Sequence, residues 1–135
     1  MKYVVYSDGA ARGNPGPAGA GYVVYDETGA LVHSEAIPLG HTTNNIAEYT
    51  AIIKAAEYVR SLNPVQINFM LDSELVVRQL NGQYKVRASH LIPLYQRLTM
   101  ILAGLNYDCI HIPREDNKVA DALADKGASM VMSER

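Results

Sequence analysis

Four acidic residues sit where a strand-like run ends or a helix-like run begins: Asp8, Glu48, Asp72 and Asp121. Each alone has a plain structural explanation. Asp8 before Gly9 is turn chemistry, Asp72 before Ser73 suits a helix N-cap, and Glu48 and Asp121 near helix starts suit the helix dipole. Together they ask for another. Carboxylates gathered within a few ångströms raise one another's pKa and destabilise a fold unless a cation lies among them. A donor set of oxygens alone, with no Cys or His, favours Mg²⁺ or Mn²⁺ over zinc. Two such ions roughly 4 Å apart stabilise both the attacking and the leaving oxygen of an in-line phosphoryl displacement. The chemistry implied is hydrolysis of a phosphodiester by water.

The elements that must position these acids can be read from apolar periodicity. Residues 2–7, rich in β-branched and aromatic side chains, predict a strand that stops at Asp8-Gly9. Residues 9–21 have turn chemistry at nearly every step and predict a loop. Residues 21–25 and 31–37 predict a hairpin around 26–29, so the first three strands form an antiparallel meander, the third ended by Pro38. Ile46, Tyr49, Ile53 and Ala56 repeat at helical spacing within 43–62, with Thr43 or Asn44 as the cap. A strand over 65–71 leads through Asp72-Ser73 to a helix ending at Asn81-Gly82. A further helix over 90–102 admits Pro93 only in its first turn, and 107–112 is the last strand. Asp116 or Asn117 caps a final helix whose Val119, Ala120, Leu123 and Ala124 face inward, and residues 130–135 are expected to fray. The fold class is α/β: a five-stranded mixed sheet, three antiparallel strands then parallel ones, flanked by helices. Adjacent parallel strands would set Asp8 and Asp72 side by side.

At 135 residues and 48% hydrophobic content, one domain over residues 1–135 can bury a single core. The apolar run before Ser7 is too short for a signal peptide or a membrane span, and the expected location is cytoplasmic, as a monomer. The single cysteine, Cys109, has no partner for a disulfide or a zinc site and is expected to be buried and inert. A net charge of -2 is low for a phosphate-binding surface, unless several of the 14 acids serve a metal site whose cations reverse the local field.

Four segments resemble the type 1 ribonuclease H family, in its order and spacing, across essentially the whole chain. Residues 6–21, beginning Tyr6-Ser7-Asp8-Gly9, resemble its strand-one signature; Thr42-Thr43-Asn44-Asn45-Ile46-Ala47-Glu48 is similar to the segment of its catalytic glutamate. Leu71-Asp72-Ser73 resembles its fourth-strand motif, and Asn117-Lys118-Val119-Ala120-Asp121 its final Asn-x-x-x-Asp. The resemblance implies a ribonuclease H-like fold and an endonuclease that cuts the RNA strand of RNA–DNA hybrids, leaving 5′-phosphate and 3′-hydroxyl ends. Asp8, Glu48, Asp72 and Asp121 would hold two Mg²⁺ or Mn²⁺ ions. Double-stranded RNA and RNA–DNA junctions are further candidate substrates. Asn14, Asn44 and Asn45 carry over as hybrid contacts, with Arg12 and Thr43 beside them. An amide can both donate to and accept from a ribose 2′-hydroxyl, the group that distinguishes RNA from DNA.

The chain departs from longer family members in two places. The basic, Trp-containing protrusion after the fourth-strand helix is reduced to a link over 81–89, where Tyr84, Lys85 and Arg87 are candidate phosphate contacts. The flexible loop bearing a catalytic histidine is missing, and Arg114 is the candidate to orient the phosphate or Asp121 in its place. His111 reads instead as a strand residue facing solvent. A P-loop or Rossmann site is excluded because Pro15 and Pro17 interrupt the glycine-rich stretch and no Gly-Lys-Ser/Thr follows. Ser7 and Ser73 belong to no hydrolase motif. A non-catalytic module binding hybrid or RNA is the alternative of different class, and an integrase- or exonuclease-like enzyme fits the Asn-Pro-Gly-Pro and Thr-Thr-Asn-Asn segments less well.

Overall fold

The first three strands extend well beyond their apolar centres. In the computed structural model, which describes residues 1–133, β1 spans Lys2–Ala11, β2 Gly16–Asp26 and β3 Leu31–Thr42. Residues 9–21, expected as a loop, are therefore strand over most of their length, and the true connection is 12–15. Pro38 does not end β3, because β3 is an edge strand and needs no donor on its open side. The chain continues through α1 (Asn44–Arg60), β4 (Gln66–Leu71), α2 (Glu74–Leu80), α3 (Ile92–Leu102), β5 (Tyr107–His111), a 3₁₀ turn (Arg114–Asp116) and α4 (Lys118–Ser133). The sheet order is β3-β2-β1-β4-β5, antiparallel across the first three and parallel from β1 to β4 to β5.

Both faces carry helices. Tyr3, Val5, Phe69 and Ile67 pack with Tyr49, Ile52, Ile53 and Leu98 into the main core between the sheet and helices α1 and α3. Each large side chain buried there contributes about 1.5–3 kcal/mol. Thr43 caps α1 by accepting from Ile46 N–H, and Ser73 caps α2 by accepting from Val76 N–H. The cap of α2 is thus Ser73 rather than Asp72, which leaves the Asp72 carboxylate out of the cap. Pro93 lies in the first turn of α3, which begins at Ile92. Among the described residues no helix is long and apolar enough to cross a membrane.

Helix α4 covers the opposite face, and glycine makes this possible. A Cβ at Gly19 would lie 2.2 Å from the Ala124 carbonyl oxygen, one at Gly21 2.5 Å from Ala124 N, and one at Gly127 2.4 Å from the Ile37 oxygen. Backbone therefore rests on backbone. This explains why the 9–21 composition imitates a loop: the small residues serve a close approach, not turns. Within α4, Ala120 and Ala124 are buried as expected and Leu123 is half-buried, but Val119 is 51% exposed because it lies one position off the row of Ala120, Ala124, Ala128 and Val131 that faces the sheet. The helix runs to Ser133, so 130–133 do not fray as expected; Glu134 and Arg135 lie outside the described residues.

Gly21→Ala should destabilise the protein by at least about 1–3 kcal/mol, the scale of overpacking a closed core. Urea unfolding checks this, and a change within 0.5 kcal/mol would mean that α4 can lift away without loss.

Candidate active site

β1 and β4 run parallel as far as Ser7 opposite Leu71, so Asp8 and Asp72 follow side by side; Asp72 ends β4, but Asp8 does not end β1 as expected, because β1 stays paired with β2 through Ala11. Glu48 arrives from the α1 face. A Cβ on Gly9 would lie 2.2 Å from the Ala47 carbonyl carbon and 2.3 Å from Glu48 N, so only glycine lets the first turn of α1 sit on the end of β1. Asp121 arrives from the other face on α4, whose Ala120 and Leu123 rest on Gly21, the cross-strand partner of Asp8. Four acids from four elements thus meet at one sheet edge, as their spacing predicts.

Their interactions are those of a crowded anionic site. Burial first, then the Asp72 charge, then a hydrogen bond and charge from Asp121, and last Glu48, push the Asp8 carboxyl up to about 8. Burial also raises Glu48, opposed by a hydrogen bond from Ser73 and reinforced by Asp72. Among the described residues, Glu48 Oε2 is buried and has no hydrogen-bond partner. As the side chains stand, no three acid, His or Cys groups among the described residues close into a set that could hold an ion. The donor chemistry nevertheless fits a hard divalent cation: only oxygens, one carboxyl whose pKa is raised by burial and then by its neighbours, and one carboxylate oxygen unpartnered.

Asn117 braces this cluster in a way its sequence role as a helix cap did not suggest. It is 1% exposed, and its amide donates to the Ser7 carbonyl at 3.0 Å and to Asp72 Oδ2 at 3.1 Å. Its own carbonyl accepts from Asp121 N–H at 3.0 Å. One residue thereby ties β1, Asp72 and the backbone of Asp121 together. The signal that could have revealed it is its position four before Asp121, which turns the side chain inward once α4 is pinned to β2.

The other candidates fall in three places. Asn44 accepts from Ala11 N–H at 2.9 Å and donates its own N–H to Asn14 Oδ1 at 3.0 Å, so Asn14, Thr43, Asn44 and Asn45 share one corner at the start of α1. Arg12 leans on α4, pairing with Asp125 at 2.6 Å and reaching Ser129 at 2.7 Å. Arg114 is 82% exposed and stands 3.8 Å from Asp121, a separation at which solvent screens most of the attraction. His111 is exposed, with Nε2 3.3 Å from the Asp72 carbonyl. Tyr84, Lys85 and Arg87 form an exposed link apart from the acids, Tyr84 beneath the Arg78 guanidinium at 5.4 Å. Cys109 is buried, and burial pushes its thiol up to about 12, which makes it inert as expected.

A sheet of this order, with one acid within its first strand, one just past its fourth and two more supplied by helices from opposite faces, defines the ribonuclease H-like fold class. The reverse transcriptase-like family pattern matches residues 6–127. The bifunctional protein Rv2228c of Mycobacterium tuberculosis is 39% identical over 130 residues, covering 93% of this chain and 35% of that protein. Ribonuclease H of Polaromonas is 30% identical over 151 residues, covering 98% and 91%. LC11-RNase H1, solved in complex with an RNA/DNA hybrid, superposes with a TM-score of 0.91 at 38% identity, covering 96% and 99%. The chain belongs to the type 1 ribonuclease H family. It spans about a third of the length of its mycobacterial relatives.

Asp8 holds its proton in the folded state well above the ordinary 3.8, so the folded protein binds more protons than the unfolded chain between those two values. Its contribution is then complete below about pH 4 and declines as pH rises toward about 8. In EDTA, thermal or urea unfolding should show stability falling across this window, by no more than about 1.4 kcal/mol per pH unit for one proton. Asp8→Asn should flatten the slope; an unchanged slope in that variant would show that the four acids do not repel at this site.

Proposed function

We propose that the chain is an endonuclease that hydrolyses the RNA strand of an RNA–DNA hybrid, leaving 5′-phosphate and 3′-hydroxyl ends. The carrying observation is the convergence of Asp8, Glu48, Asp72 and Asp121 at one sheet edge, with Asp8 held protonated and Glu48 Oε2 without a partner. The likeness to a ribonuclease H solved with a hybrid bound supports the choice of substrate.

The four acids are the residues that would hold two Mg²⁺ or Mn²⁺ ions. Bound there, the ions supply a deprotonated water at neutral pH and neutralise charge on the leaving 3′-oxygen. The chain's own groups set the geometry. Asn117 fixes the Asp72 carboxylate against the β1 backbone, so this acid need not reorganise when charge builds on the phosphate. The amides of Asn14, Asn44 and Asn45 line the start of α1, where a ribose 2′-hydroxyl can exchange hydrogen bonds with them. Arg114, exposed beside Asp121, is placed to meet a phosphate oxygen with its planar fork. Arg12 is engaged with Asp125 and serves the hybrid by holding the 12–15 connection in place. Tyr84, Lys85 and Arg87 extend the contact to phosphates farther along the duplex.

An end-labelled RNA–DNA hybrid, with matched single-stranded RNA, double-stranded RNA and double-stranded DNA, tests this directly. Cuts in the RNA strand should require Mg²⁺ or Mn²⁺, stop in EDTA and leave 3′-hydroxyl ends. Asp8→Asn should keep the fold and lose at least about 3 kcal/mol of transition-state stabilisation, roughly two orders of magnitude in rate. Hybrid binding without cleavage under either metal would replace the enzyme with a binding module, and near-normal cutting by a folded Asp8→Asn protein would reject the assignment of the four acids.

A further inference from the structure

Helix α4 covers only part of its sheet face. It begins over Gly21, and the same face continues past its N-terminus onto Val23 and Tyr25 of β2 and, by register, Tyr6 and Val4 of β1. The pairings Val23–Tyr6, Tyr6–Met70 and Met70–Ile110 make one apolar row across four strands. The row passes from covered to open: Val23 is 1% exposed, Tyr6 and Met70 are half-buried, and Ile110 is 39% exposed. Tyr6 and Tyr25 meet edge to face with ring centroids 5.9 Å apart. Where β1, β2 and the start of α4 meet, this face deepens into a groove of about 540 Å³ whose wall includes the exposed Val119. None of the four clustered acids lines it.

The rim has one dominant sign. Asp26 and Glu27 stand at the β2–β3 turn and Glu115 and Asp116 in the 3₁₀ turn, against a single cation, Lys118. Asp26 is held ionised, its carboxyl lowered by hydrogen bonds from Thr28 and Ala30. Four negative charges around an apolar floor repel a phosphate backbone, so this surface lies off the path of any nucleic acid. They attract a cationic one. An apolar sheet face left open beside a charged rim is the anatomy of a protein contact.

The geometry points to a docking site here for a partner protein's segment that places aliphatic or aromatic side chains on the open part of the row, Tyr6, Met70 and Ile110, and lysines or arginines against the four rim acids. The site is independent of the phosphodiester chemistry and stands whether or not the chain cleaves hybrid. Because the groove shares Asn117 and Ala120 with the wall behind the acids, an occupant would be held next to the catalytic edge without obstructing it.

The test uses the whole chain and a fluorescein-labelled amphipathic peptide of Leu and Lys at helical spacing, with a Leu/Glu peptide of the same pattern as control. Anisotropy gives affinity, and amide chemical-shift mapping gives the place. The Leu/Lys peptide should shift Tyr6, Tyr25 and Val119, and the Leu/Glu peptide should not bind. Glu115→Lys with Asp116→Lys should weaken binding at least tenfold. Ile110→Ser and Val119→Ser, which change no charge at exposed positions, should each weaken it at least threefold. Equal binding by the two Ser variants, or shifts mapping elsewhere, would reduce the effect to general attraction between opposite charges and overturn the site. Absence of peptide binding would overturn it too, as would self-association of the chain through these same residues, which would make the face a contact between copies.

Discussion

Everything at the catalytic edge depends on two helices lying on the sheet with no side chain between. Gly9 admits the first turn of α1 and Gly19, Gly21 and Gly127 admit α4, each to a distance that a single methyl would close. Glycine in a strand interior is ordinarily a weakness, since it packs nothing and gives up more conformational freedom than any other residue. Here it sets how far two carboxylates, one from each face of the sheet, stand from the ends of β1 and β4. A looser approach would still give the same topology, but Glu48 and Asp121 would stand off from Asp8.

Proximity of this kind works against folding, because it gathers like charges in a partly dry place. The structure tolerates it by two means. Asp8 keeps its proton, shedding one charge, and neutral or cationic neighbours are fitted around the rest: Asn117 on Asp72, Ser73 on Glu48, Arg114 facing Asp121 at longer range. The bracing groups are uncharged where they are buried and charged only where water reaches them, as expected when the cost of isolating a charge is high. Such an arrangement leaves Glu48 Oε2 buried and unpartnered among the acids.

Much of this was legible in the sequence because strand ends and helix starts leave local marks. Asp8-Gly9 and Asp72-Ser73 each close a strand-like run, and Glu48 and Asp121 each fall in the first turns of a periodic segment, so the meeting of the four acids followed from the order of elements. What could not be read depends on partners far away in the chain. Residues 9–21 looked like a loop since Gly and Pro carry the same letter whether they make a turn or make room for α4. Val119 looked like core because it is apolar and adjoins the buried row, but it points to the flank of α4 rather than onto the sheet. Asn117 looked like a cap because its alternative, a hydrogen bond to Asp72, spans 45 positions, and Arg12 looked free for phosphate because Asp125 is 113 positions away.

Arg12 also joins parts of the fold that lie far apart in the chain. Its contacts to Asp125, Ser129 and Met132 fasten the 12–15 connection to the last turns of α4, and through Asn14 and Asn44 the same connection is fastened to the beginning of α1. The last turns of α4 and the first residue of α1 are thereby fastened to one short connection. In architectural terms the connection is a keystone: helices from opposite faces of the sheet lean on it, so a change at Arg12 or Asn14 is felt by both.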